Sequence, residues 1–305
     1  DEKDPVIGII GNPKYFAHLE TPTLGVLAQM SAVATSVRRA TSHLKDNQSL
    51  LFFPARFRHY ASQAPDGAAC VVGGAKAMST DANGEYWGYN GIGTIPHLLI
   101  AAYWGDTAQA ALKFDEIIDP SINRVILVDW DNDCIGTSLK VITAFLHRYQ
   151  MGGRSRVRYD NIDECKRLLR DYRHELYHVI GSGKGKVFGV RFDTSGSLID
   201  KSLSPHLLFG VNYPLVKMAR ETFDELGLKD LKIVVSGGFD EEKLKLFNRA
   251  DAPYDMVGIG SSIVNKFTVD FTADAVMLDG QRNAKVGRSL LDWSKMSEVH
   301  RRKGL

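Results

Sequence analysis

The chain is poor in cysteine, with three in 305 residues: Cys70, Cys134 and Cys165, far apart and without a C-x-x-C pair. That spacing supports neither a zinc module nor a disulfide framework, and a reducing cytosol is the simplest compartment to expect. Long apolar runs are missing too. Stretches such as residues 124–129 are too short to span a bilayer, and no charged-then-apolar leader opens the chain, so no membrane partner is expected. An excess of one charge is also lacking: 38 Lys+Arg stand against 36 Asp+Glu, a net +2. With no interleaving of aromatic and basic residues, a nucleic-acid partner has no support. An anion bound here must meet a local cluster of donors rather than a broad field. Repeats, low-complexity tracts and long linkers are absent, and 44% hydrophobic with 24% charged residues is the balance of an ordinary globular protein. The length fits two domains, or one α/β barrel with an appendage.

What is present is alternation. Residues 5–11 read as a short strand or loop, and Leu24, Leu27, Met30, Val33 and Val37 recur at helical spacing over 21–43, with Thr23 as a possible cap. Strand-like runs follow at 50–53, 69–72, 125–128, 187–192, 232–235 and 256–260, separated by helical stretches. Continuous apolar strands alternating with helices imply parallel βαβ units, in an α/β barrel or a doubly wound sheet. Polar residues and glycines sit just after these runs, and both architectures gather their sites at the carboxyl ends of parallel strands. The Gly-rich stretch 181–186 reads as a loop before a strand, since it lacks the Gly-Lys-Ser/Thr ending of a phosphate loop.

Several of these strand ends could carry chemistry. Ser236-Gly237-Gly238 and Gly258-Ile-Gly260-Ser261 are consecutive glycine turns. Such turns let main-chain N–H groups approach an anion, or serve only as tight turns. Asp129, Asp131 and Asp133 follow one strand, and Arg191 and Asp193 close another. Carboxylates there suit ribose hydroxyls or Mg²⁺, with a solvated acidic turn as the plainer reading, the one preferred for Asp133. Arg56, Arg58 and His59 follow Phe53, combining cationic forks with a ring that can stack on a planar ligand. His97 follows Pro96 at the head of an apolar helical run, and a lone histidine is more often structural than functional.

Taken in order, Phe53-Pro-Ala-Arg56-Phe-Arg58-His59, Gly73-Gly-Ala-Lys-Ala-Met-Ser79-Thr80, Gly93-Thr-Ile-Pro-His97, Val128-Asp129-Trp-Asp131, Gly189-Val-Arg191-Phe-Asp193, Val235-Ser-Gly-Gly-Phe239 and Val257-Gly-Ile-Gly260 resemble nicotinate phosphoribosyltransferase, a type II phosphoribosyltransferase. The resemblance covers nearly the whole chain. It implies an irregular parallel α/β barrel with a partial second α+β domain. The expected layout is a remnant amino-terminal domain and linking helix at 1–49, a catalytic barrel at 50–278 and a returning segment at 279–305.

The resemblance also implies a reaction: nicotinate and 5-phosphoribosyl 1-diphosphate give nicotinate mononucleotide and diphosphate, with ATP hydrolysis coupled, in cytoplasmic NAD salvage by a homodimer or higher homo-oligomer. It makes His97 the histidine phosphorylated from ATP, Arg191 the partner of the pyridine carboxylate, Asp193 a partner of the ribose, and Asp129 the carboxylate near ribose and Mg²⁺. Phe53 becomes the stacking ring and Arg56 a cation near the phosphates. Ser79 and Thr80 become readers of the carboxylate. Ser236, Gly237, Gly238, Gly258 and Gly260 become the 5′-phosphate cup. The absence of an acidic side chain at 79 and 80 favours nicotinate over nicotinamide. Members of the family carry a longer region ahead of the helix near Thr21, including an aromatic that closes over the pyridine of the partner chain, so a truncated amino-terminal domain is expected. The competing expectations are quinolinate phosphoribosyltransferase, which needs a denser basic pocket and no phosphorylatable histidine, and a non-catalytic nucleotide-binding relative.

Overall fold

The apolar runs form a parallel sheet. The computed structural model describes residues 4–152, 161–204, 207–288, 294, 296–297 and 299, so about half of the expected segment 279–305 lies outside the described residues. Six strands take the order β2-β1-β6-β5-β4-β3: β1 Ser49–Phe52, β2 Ala77–Met78, β3 Val125–Leu127, β4 Gly189–Phe192, β5 Lys232–Val235 and β6 Met256–Ile259. Every pairing among them is parallel. The helices are α1 Glu20–Thr41, α2 Gln63–Gly73, α3 Asp81–Gly84, α4 His97–Ala102, α5 Thr107–Ile117, α6 Cys134–Tyr149, α7 Ile162–Asp171, α8 Leu176–Val179, α9 Tyr213–Glu225, α10 Glu241–Arg249 and α11 Ser261–Asn265.

The sheet curls into a half-barrel, the irregular parallel α/β barrel expected. Its two edge strands are linked by an irregular segment: the Ile92 N–H donates to Met78 O of β2 at 2.8 Å, and the Ile95 N–H to Val125 O of β3 at 3.3 Å. Period-two alternation divides the strand residues between two faces. Leu50, Phe52, Ile126, Val190, Ile233 and Val257 join the large core under the helices. Leu51, Val125 and Val234 form a smaller inner cluster with Phe53, Ala77, Phe188 and Met256.

One expected strand is a helix. Residues 69–72 lie in α2, and the strand belongs to Ala77–Met78. Four apolar residues have no readable period, and here they lie along a helix that buries Ala69 and Cys70 and exposes Val72. Thr23 is not the cap of α1, which begins at Glu20 straight after a 3₁₀ turn, Ala17–Leu19. Residues 5–11 form no strand. Asp133 caps α6, accepting the Gly136 N–H at 2.9 Å, so it has a structural part other than the solvated acidic turn preferred for it.

Beneath the sheet, at the amino end of β3, Arg124 is fully buried and its Nε donates to Asp115 Oδ1 at 2.7 Å. Its terminal nitrogens bond the carbonyls of Asp115, Ile118, Asp119, Pro120 and Ile122. Asp115 also accepts the Gly185 N–H at 2.9 Å and the Tyr149 hydroxyl. The Gly-rich stretch 181–186 is thus a loop tied to this pair, with Gly181, Gly183 and Gly185 at positive φ.

The chain divides into two compact units, Met30–Thr268, which holds the sheet, and Asp1–Gln29 with Val269–Leu305. The described part of the latter includes two short 3₁₀ turns and an antiparallel hairpin, β7 Met277–Leu278 with β8 Gln281–Arg282, joined through Asp279 and Gly280, both at positive φ. Among the described residues, no helix is long and apolar enough to cross a membrane.

Candidate active site

The strand ends that carry polar residues come together at the carboxyl edge of the sheet. Arg191 pairs in register with Leu127 and Val234, which places it on the inner face above the small apolar cluster. Phe53 reaches the same face from β1 by alternation after Leu51, and the Arg191 guanidinium lies 5.8 Å from its ring centroid. Gly258 and Gly260 make room for that ring and its backbone. A Cβ on Gly258 would lie 2.6 Å from Phe53 ring carbons, and one on Gly260 2.2 Å from the Phe53 carbonyl oxygen. These two glycines therefore seat Phe53, whatever else they do.

Around this seat the charges form one cluster. Asp193 takes the Ser236 hydroxyl at 2.7 Å and an Arg191 Nη at 3.4 Å. The His97 Nε2 lies 3.1 and 3.2 Å from the two oxygens of Asp129, with the Trp130 ring 6.3 Å from the imidazole. Burial raises the Asp129 carboxyl above the ordinary carboxylate range; His97 opposes this and the charge of Asp193 adds to it. Burial likewise lowers the Arg191 guanidinium, with Asp193 and Asp129 opposing and Arg56 reinforcing. Arg191 thus feels the charges of Asp193, Asp129 and Arg56, and Arg56 itself is exposed.

Two polar atoms here are buried and unbonded among the described residues, Arg191 Nε and Ser79 Oγ. A buried donor without an acceptor costs roughly 1–3 kcal/mol, so both mark positions where a ligand or water would bring a stabilising bond. Thr80 differs, because its hydroxyl is committed to the protein: it accepts the Asn83 N–H as cap of α3 and bonds Gln63 Oε1 at 2.7 Å. Arg58 is committed as well, to Asp66 at 3.0 Å and to the Val264 carbonyl.

Gly237 and Gly238, at φ +84° and +68°, form the turn after β5. Lys243, absent from the sequence candidates, also reaches this turn: its Nζ donates to the Gly237 carbonyl oxygen at 3.0 Å. Burial lowers this amine to about 8, against the pull of Asp240 and Asp193. Its signal was available, since a lysine in the first turn of the helix after a Gly-Gly turn is near that turn. For a metal, the described residues contain no group of three or more His, Cys, Asp or Glu in ligating arrangement. Asp129 remains a single hard-oxygen donor, which is sufficient for Mg²⁺ shared with substrate phosphates and water.

No family model matches the sequence. A stretch of 122 residues is 32% identical to nicotinate phosphoribosyltransferase 1 of Arabidopsis thaliana, covering 38% of this chain and 20% of that one. Among solved structures, a nicotinate-nucleotide pyrophosphorylase from Pyrococcus furiosus superposes with a TM-score of 0.61 at 26% identity, over 90% of this chain and 57% of that one. NadC from Streptococcus pyogenes gives 0.51 at 14% identity, over 86% and 65%, a likeness of fold. The chain thus spans about a fifth of the curated relative's length and just over half of the archaeal structure's. Its fold is that of the type II phosphoribosyltransferases.

Proposed function

We propose that this chain is a phosphoribosyltransferase acting on a pyridine carboxylate, and specifically that it joins nicotinate to 5-phosphoribosyl 1-diphosphate. The observation that carries the reading is the buried, unbonded Nε of the partly exposed Arg191, whose guanidinium lies 5.8 Å from the Phe53 ring centroid. A planar anion stacked on Phe53 with its carboxylate on Arg191 would use both features, since a guanidinium matches a carboxylate through paired donors. The curated relative and the archaeal neighbour both carry nicotinate or its nucleotide in their names, which agrees with this ligand class.

The chemistry follows from charge. Loss of diphosphate leaves an oxocarbenium-like ribose, so the site must hold an anionic leaving group and keep the pyridine nitrogen in line. The turn at Gly237 and Gly238 is the candidate 5′-phosphate cup, with Ser236, Gly258 and Gly260 around it. Asp193 and Asp129 are the groups for ribose hydroxyls, and Arg56 for the phosphates. Ser79, with its unbonded hydroxyl, is a second donor for the pyridine carboxylate; Thr80 lies beside it. Mg²⁺, held by Asp129 and the substrate, would neutralise the departing diphosphate. No general base is needed, because the pyridine nitrogen is already unprotonated near neutral pH.

ATP enters through His97. Its imidazole is half-exposed and backed by Asp129, an arrangement that can accept a phosphoryl group and release it to water, coupling ATP hydrolysis to the transfer. The second reading, quinolinate as substrate, is favoured by the presence of two arginines, Arg191 and Arg56, within reach of one another's charge. Incubating the chain with 5-phosphoribosyl 1-diphosphate and either acid, with and without ATP, separates the two. Nicotinate mononucleotide from nicotinate, stimulated by ATP, is expected, and ATP labelled in its γ-phosphate should label wild type but not His97→Ala. Product from quinolinate alone, with release of carbon dioxide, overturns the nicotinate reading; no product from either overturns phosphoribosyl transfer.

A further inference from the structure

The Gly237–Gly238 peptide is held from one side only. Both residues sit at positive φ, and glycine imposes little barrier to rotation, so this peptide could readily turn over. In a trans peptide the carbonyl oxygen and the following N–H point in opposite directions. Lys243 Nζ bonds the Gly237 oxygen at 3.0 Å, which aims the Gly238 N–H away from α10. That N–H meets no acceptor among the described residues, and the Cβ position of Gly238 opens onto empty space. One residue on, the Ser262 hydroxyl bonds the Phe239 carbonyl at 2.7 Å, so the turn is gripped by its carbonyls at two points.

We infer that Lys243 is a positioning residue: its ammonium latches the Gly237–Gly238 peptide so that the Gly238 N–H stays directed at an incoming phosphate monoester, and adds positive charge behind it. This rests on the reading of the glycine turn as a phosphate cup. The ammonium lies 4.2 Å from the Phe239 ring centroid and 5.9 Å from that of Phe247. The charged groups around it are Asp240 at the cap of its own helix, Asp193 beyond β4, and Lys266 after α11, itself 2.7 Å from Asp240. Burial among the rings is what brings the amine down to about 8. A bound anion favours the charged amine, so binding takes up a proton above that pH and affinity falls as pH rises through it.

The test uses ribose 5-phosphate as probe, titrated calorimetrically into wild type, Lys243→Arg and Lys243→Met from about pH 7 to about pH 9.5, where a phosphate monoester with second pKa about 6 is already a dianion. Wild-type affinity should fall toward tenfold per pH unit above about pH 8. Lys243→Arg should hold its affinity across the range. Lys243→Met should be weaker by about tenfold or more near pH 7, with no fall through pH 8. In turnover it should raise the KM for 5-phosphoribosyl 1-diphosphate and leave kcat nearly unchanged. A flat wild-type profile, a fall in Lys243→Arg matching wild type, wild-type affinity in Lys243→Met, or no binding of the probe by wild type overturns the latch. If Lys243→Met does not fold, the profiles of wild type and Lys243→Arg decide alone. The probe carries neither diphosphate nor pyridine. Lys243-dependent binding without turnover on any pyridine therefore refutes phosphoribosyl transfer and keeps the latch. Turnover with an unaltered KM in Lys243→Met does the reverse.

Discussion

Two arginine–carboxylate pairs stand at opposite ends of the same sheet, one fully buried and one partly exposed, and they are built differently. At the amino edge, Arg124 bonds Asp115 and five backbone carbonyls, so its donors are used up. At the carboxyl edge, Arg191 makes one long contact with Asp193 at 3.4 Å and leaves Nε without an acceptor. Arg124 has no capacity left for a ligand, and Arg191 has little else to use it on. The saturated pair holds the fold together, while the unsaturated pair keeps hydrogen-bonding capacity in reserve at the strand ends where parallel sheets place their sites.

The largest effect should come from breaking the saturated pair. Asp115→Ala leaves a buried guanidinium without its counter-charge and frees the Gly185 and Tyr149 contacts, and should lower the unfolding free energy by about 3–5 kcal/mol. Denaturant unfolding measures this, and ligand affinity of the folded protein should be unchanged. The reverse pattern belongs to Arg191→Met. It should change stability by less than about 1 kcal/mol and raise the KM for the pyridine carboxylate by roughly 10–100-fold, the loss of one charged hydrogen-bonding partner. An equal stability loss in both variants would erase the distinction between the two ends.

Much of this end-to-end design was legible in the sequence, and the remainder was not for identifiable reasons. The runs at 232–235 and 256–260 became β5 and β6, where Ile233, Val234 and Val235, and then Val257 and Ile259, are β-branched residues with polar or glycine turns after them. The run at 69–72 misled, since four apolar residues fit a buried helix equally well. The candidate residues His97, Asp129, Arg191, Asp193 and Ser236 lie in one cluster linked by bonds or by charge, with Phe53 against Arg191. The importance of Arg124 was invisible, because an arginine before a strand reads the same whether its donors meet water or six oxygens. Lys243 is a different case: its place in the first turn of the helix after the Gly-Gly turn is readable, but only the fold shows that its amine returns to the Gly237 carbonyl.

An intermediate effect is expected at the seat of Phe53. Gly260→Ala would put a Cβ 2.2 Å from the Phe53 carbonyl oxygen, and the backbone would have to shift, at a cost of about 1–3 kcal/mol. The displaced ring should weaken binding of the pyridine more than binding of ribose 5-phosphate, which calorimetry with each ligand separates. Equal weakening of both would mean that Gly260 serves the phosphate rather than the ring.

The smallest effect has the opposite sign, and it contrasts the two buried carboxylates most directly. Burial raises the pKa of Asp129, so the folded chain holds that proton more tightly than the unfolded chain does. Unfolding then releases a proton as pH rises from the ordinary carboxylate value of about 3.9 through the raised one, and stability falls across that window and stays lower above it. Asp129→Asn removes the buried charge. It should therefore raise the unfolding free energy near neutral pH by up to about 1 kcal/mol while reducing turnover, the expected trade of a site residue. The gain should shrink across that window on acidification and vanish below the ordinary value of about 3.9, where wild-type Asp129 is neutral in both states. Asp115→Asn should instead destabilise, because there the charge is matched. Unfolding curves of wild type, Asp129→Asn and Asp115→Asn over that range measure both, and a loss of stability in Asp129→Asn at neutral pH would place Asp129 with the saturated pair.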